Sequence, residues 1–123
     1  MAWNKSGNIK GPPGDRGPLV TTIASSATPS VDCTAYTMLT VTALAVNITG
    51  FTVTGTPVEG QKLLVRIKDN GVTRTITWGG SFLSSGAAAL PVNTVVSKTH
   101  LVGLIYDAVA LKWVCAASDL AGY

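Results

Sequence analysis

The sequence predicts an all-β fold: a β-sandwich or jelly-roll-like domain, preceded by a short extended collagen-like segment. Three observations predict it. From Val20 onward the chain is rich in Thr, Val and Ile, and turn residues interrupt it at short intervals. Lys62-Leu63-Leu64-Val65-Arg66-Ile67-Lys68 alternates strictly, with Leu63, Val65 and Ile67 on one side and Lys62, Arg66 and Lys68 on the other. Ahead of the domain, Gly11, Gly14 and Gly17 recur every third residue with proline beside them.

The elements follow in chain order. Residues 1–10 are polar, have no core of their own, and carry two isolated apolar side chains, Trp3 and Ile9. Large apolar area on a polar arm stabilises only on docking, so we expect an anchoring peptide. Residues 11–19 form the G-X-Y run. Proline presets the polyproline II dihedrals, and glycine at every third position lets three chains meet at a crowded axis. Nine residues at ~3.1 Å each span roughly 28 Å, too short to trimerise alone. Residues 20–123 form the β-domain. A strand is expected over Val20–Ser26, broken by Thr28-Pro29-Ser30. Another is expected over Tyr36–Ala45, then a turn at Asn47–Gly50 and a short strand at Phe51–Thr54. The alternating Lys62–Lys68 strand should close a hairpin through Asp69-Asn70-Gly71, because Asn-Gly supplies the positive φ of a tight turn. Val72–Trp78 would be its partner. Ser84–Pro91 reads as a small-residue loop, and Ala87-Ala88-Ala89 is too short for a helix. A last hairpin is expected from Val95–Tyr106 to Ala110–Ala117. Within it, Leu101-Val102-Gly103-Leu104-Ile105-Tyr106 is apolar on both faces, as a strand buried between layers or against a neighbouring subunit would be.

Composition narrows the function. The 123 residues make one ordinary domain. Hydrophobic residues are 46% and charged residues 12%, about half the usual charge, which implies that part of the surface meets other protein. No run is long and apolar enough for a membrane span. Met1–Lys10 has no apolar h-region, so no secretory signal is expected. The net charge of +3 comes from nine basic residues spread along the chain, without the clustered patch of a nucleic-acid binder.

We expect no enzyme and no cofactor. His100 is the only histidine, adjoins Leu101 in a strand of core type, and reads as a strand histidine with a local hydrogen bond. The serines show no nucleophile-elbow pattern. Asp69-x-Gly71 lacks the downstream acids of a calcium loop. One histidine and two distant cysteines make no zinc set. Cys33 and Cys115 read as reduced core thiols, with pairing across the fold left open. Most aromatics read as core, although Trp78, Ser81 and Phe82 mark a candidate receptor surface. Leu101, Leu104 and Tyr106 are candidates for a trimer interface.

The stretch Trp3-Asn4-Lys5-Ser6-Gly7-Asn8-Ile9-Lys10-Gly11-Pro12-Pro13-Gly14 resembles the N-terminus of small virion proteins of tailed bacteriophages that infect actinobacteria. Gly55-Thr56-Pro57-Val58-Glu59-Gly60-Gln61 through Gly71, then Ile76-Thr77-Trp78, Val102–Tyr106 and Lys112-Trp113, is similar to a β-domain of phage minor tail proteins and fibres. The resemblance implies a non-enzymatic homotrimer, assembled in the host cytoplasm and resident in the virion at the tail or tail tip. Its partners would be other virion proteins of the tail tip or baseplate. Two rival readings are a capsid decoration protein on the head lattice and an adhesin for a host cell-surface glycan.

Overall fold

A computed structural model describes residues 19–123. The stalk glycines Gly11, Gly14 and Gly17 and the arm carrying Trp3 and Ile9 lie outside the described residues. The described chain is all-β. Its strands are β1 (Val20–Ile23), β2 (Ser30–Asp32), β3 (Met38–Leu44), β4 (Thr52–Thr54), β5 (Lys62–Asp69), β6 (Phe82–Leu83), β7 (Thr99–Asp107) and β8 (Lys112–Ser118).

Six of them form one mixed sheet in the order β1-β3-β5-β7-β8-β6, and β2 pairs with β4 in a second, smaller sheet. The first half of the chain winds as a flattened coil. It passes from the large sheet to the small one and back, so that β1, β3 and β5 stack in parallel on one side and β2 and β4 on the other. Val20 lies beside Met38, and Met38 beside Leu64. Side chains at the corners take up backbone donors that the ladders leave over. Ser25 Oγ accepts from the Ala45 N–H at 2.9 Å, and Asn47 Oδ1 from the Thr75 N–H at 3.0 Å. The second half is antiparallel: β7 pairs with β5 and folds back on β8.

This connectivity changes one expectation. The Asp69–Gly71 turn forms, and Gly71 takes φ 100° there. Val72–Trp78, however, does not return beside β5, whose antiparallel partner is β7. The segment instead crosses to the second layer, where Ile76 pairs in parallel with Ile48. Ile48 N–H donates to the Thr75 carbonyl and Thr77 N–H to that of Ile48, both at 2.9 Å. The physical reason is burial. Crossing carries Ile76 and Trp78 into the core at 2% and 5% exposure. The mixed sheet likewise replaces the all-antiparallel ladder of a jelly roll. The last hairpin, β7 to β8, matches its expectation.

The core lies between the two layers. Alternate residues of the large sheet fill it: Leu39, Val41, Leu63, Val65, Ile67, Val102, Leu104 and Cys115 are each at most 1% exposed. Val31 of β2 closes it from the other side. One glycine at the coil's corner is indispensable. Gly55 has φ 87°, and a Cβ there would lie 2.8 Å from both Asp32 Oδ1 and Thr34 Cγ2. Gly55→Ala should therefore cost about 1–3 kcal/mol, seen as a lower urea midpoint at unchanged slope. A loss below the error of that measurement would mean the corner yields.

Candidate functional site

The residues singled out from sequence are placed in three different environments. Trp78 and Phe82 are buried at 5% and 7% exposure, and only Ser81 of the candidate receptor surface is exposed. Phe51 stacks on Trp78 at 4.4 Å between ring centroids, and Phe82 packs against both. The Trp78 indole N–H donates to the Pro91 carbonyl at 2.7 Å. These rings hold the loop before β6 onto the core and offer no face to a sugar.

Of the trimer candidates, Leu104 points inward at 1% exposure and is core. Tyr106 is half-buried, tilted against Trp113 at 5.1 Å. Leu101 alone lies on the outward face of the large sheet, half-buried, in register with Arg66 of β5. A strand apolar on both faces is thus resolved into an inner set, Val102 and Leu104, and an outer set, Leu101, Gly103 and Ile105.

His100 is fully buried. Its Nε2 accepts from the Val95 N–H at 2.9 Å, which places the ring proton on Nδ1, and Nδ1 donates to the Asp119 carbonyl at 2.9 Å. Both nitrogens are thus spent on backbone. The ring ties the loop before β7 to the segment after β8. Asp69 sits near it at 3% exposure. Asp69 Oδ1 accepts from Gly71 N–H at 3.0 Å and from Ser97 N–H at 2.9 Å, and Ser97 holds φ 63°. Burial pushes the Asp69 carboxyl up, but the N–H donors of Ser97 and Gly71 outweigh it, and the group lies below the ordinary carboxylate range. Cys33 and Cys115 are both free and buried, and burial pushes each thiol up. A raised thiol is a poor nucleophile, so the pair behaves as small apolar core residues. No cluster of three or more metal-ligating side chains exists among the described residues.

Two exposed regions were not singled out from sequence. The first is one end of the molecule. Because β7 is antiparallel to β5 and β1 is parallel to it, the start of β1, the approach to β5 and the β7–β8 turn share an end. There Val58 is 64%, Val109 94% and Leu111 68% exposed. The β7–β8 turn, which carries Val109 and Leu111, is pinned by side-chain acceptors. Asp107 Oδ1 accepts from the N–H groups of Val109 and Ala110 at 2.9 and 3.0 Å, and Glu59 Oε1 from that of Ala108 at 2.8 Å. Leu19, the first described residue, leads into β1 at this same end.

The second region is the outward face of the large sheet. Leu64, Leu101, Gly103, Ala117 and Tyr123, with Ser118 and Asp119 at the β8 side, line a shallow hollow of about 410 Å³. Lys62, Arg66 and Lys68 stand beside it, exposed, on the outer side of β5. Leu64 was the available signal. It is the one apolar residue on the charged side of an otherwise strict alternation. Comparison with protein families, curated proteins and solved structures finds no match.

Proposed function

We propose that the chain is a non-enzymatic structural protein of a tailed-phage virion: a trimeric minor tail protein or short fibre at the tail or tail tip. Residues 1–10 anchor it to another virion protein, residues 11–19 pack as a three-chain stalk, and the two-layer β-domain serves as a sandwich-type head. The observation that carries the reading is the apolar end formed by Val58, Val109 and Leu111, located where the G-X-Y run joins the domain. Exposed aliphatic side chains on a pinned turn lose little entropy on association. Three stalk chains in contact bring three such ends together around one axis, and each end covers its neighbour. The contact thus falls at Val109 and Leu111 rather than at Leu104, which serves the core.

The adhesin reading has less support, because the aromatics it needs, Trp78 and Phe82, are buried. A capsid decoration protein would keep the same trimer and change only its partner.

Light scattering tests the reading. The full chain should have the mass of a trimer at micromolar concentration. Val109→Asp combined with Leu111→Asp should shift it to monomer while leaving the far-UV spectrum unchanged, since both side chains are exposed. A monomeric full chain would remove the stalk and the trimer together. A trimer indifferent to the double substitution would move the contact away from this end.

A further inference from the structure

We propose that the outward face of the large sheet binds an acidic β-strand of another protein, its apolar residues in the Leu64–Leu101 hollow and its carboxylates against Lys62, Arg66 and Lys68. Two features, and the match between them, lead there.

The first is unspent positive charge. Among the described residues, Arg74 donates to Asn70 Oδ1 at 3.0 Å and Lys112 to the Gly80 carbonyl. Lys62, Arg66 and Lys68 make no such bond and no ion pair among the described residues, and all three are exposed on one side of one strand. Alternate strand residues are about 7 Å apart, so the row is about 20 Å long, with Leu64 set between Lys62 and Arg66. Among the described residues no carboxylate forms an ion pair with the row, and Asp119 lines the hollow beside it. Asp119 Oδ1 accepts from the Gly122 N–H at 2.8 Å, and Asp107 Oδ1 holds the β7–β8 turn.

The second is Gly103. Glycine inside a strand weakens it and often marks close approach of a ligand or another backbone. Gly103 lies where the β7–β8 register shifts, between Gly103 and Leu104, and a side chain would still fit there. Its φ is not in the left-handed region, and a Cβ there would meet only Leu64 Cδ2 at 3.7 Å and Ala117 at 3.9–4.0 Å, ordinary contact distances. The missing side chain is what leaves the hollow in the middle of the face.

The two features match. An extended segment running along β5 presents every second side chain to this face. A sequence alternating acidic and apolar positions on that side would meet cations and hollow in turn. No described strand of this chain carries such an alternation of acids, and a second copy would oppose its own basic row, so the occupant is a different protein. Nucleic acid fits less well, because the apolar floor offers nothing to phosphates.

The inference is independent of the trimer, which is read by mass alone. Its test is fluorescence anisotropy of the full chain with a labelled, end-blocked peptide of alternating Glu and Val. A Lys-Val peptide and a labelled oligothymidylate serve as comparisons. The Glu-Val peptide should bind saturably, weaken as salt rises, and leave the Lys-Val peptide unbound. K62E/R66E/K68E should weaken it about tenfold or more. Gly103→Val, which fills the hollow and leaves the charge alone, should weaken it by a similar factor. The charge variant carries the test if the valine variant does not fold. Absence of saturable binding, or binding unmoved by the charge variant, overturns the proposal. Tighter binding of oligothymidylate, lost in the charge variant, also overturns it and gives the face to nucleic acid.

Discussion

Replacing Trp78 with alanine is expected to remove most of the folding stability of the β-domain. The indole is 5% exposed, stacks on Phe51 at 4.4 Å, and donates to the Pro91 carbonyl at 2.7 Å. Truncating a buried tryptophan costs about 3–5 kcal/mol through lost burial and the cavity left behind. The orphaned Pro91 carbonyl adds about 1–3 kcal/mol unless water reaches it. Small domains have only about 5–15 kcal/mol in total. Urea unfolding followed by circular dichroism should place the variant near or past its midpoint in buffer. Trp78→Phe should retain most of the volume and lose the hydrogen bond, which separates the two contributions. The same experiment bears on the adhesin reading. A receptor-facing tryptophan could be truncated at a cost below about 0.5 kcal/mol, as at other surface positions.

The second large effect is expected at Asp69. Asp69→Ala leaves the N–H groups of Gly71 and Ser97 without their acceptor, and Ser97 sits at φ 63°. Two donors left unpaired near the core should cost about 2–4 kcal/mol. The carboxyl also gives the stability a pH dependence. Its folded-state pKa lies below the ordinary value of about 3.9. A depressed carboxylate contributes stability that is complete above about pH 4 and is lost as pH falls through the folded value. The gap between wild type and Asp69→Ala, measured by denaturant titration, should be constant from pH 7 to about pH 5 and narrow below pH 4. A gap that widens in acid would mean the carboxyl is held protonated, contrary to its hydrogen bonds.

The trimer and the acidic-strand face are independent in what would sink them. The proposed trimer rests on Val109 and Leu111 at the end where β1 begins, the proposed partner face on the row along β5. A virion protein with both would hold its own copies at one end and a neighbour along its flank.

Features that depend on near neighbours along the chain are legible before folding. Period-two alternation made β5 legible to within a residue, because adjacent side chains of a strand must point to opposite faces. The turn at Asn70-Gly71 was legible because it needs a positive φ. The core role of Leu63, Val65 and Ile67 followed from the same local logic, whereas His100, read as a strand histidine with a local hydrogen bond, also reaches the Asp119 carbonyl 19 residues away. Which strand each strand meets is settled only when the layers assemble. The two-residue strand β6 and the three-residue strand β2 carry too little pattern to announce themselves. Nothing local in Val72–Trp78 distinguishes returning beside β5 from crossing to Ile48. That choice is set by whether Ile76 and Trp78 reach the core, which depends on a layer built from residues far away in sequence. The same holds for function. An apolar strand such as Leu101–Tyr106 has two apolar sides on paper, and only the fold assigns Leu104 to the core and leaves Leu101 and Gly103 facing out. Burial is a property of the assembled layers, and a sequence fixes it only after the chain has chosen its neighbours.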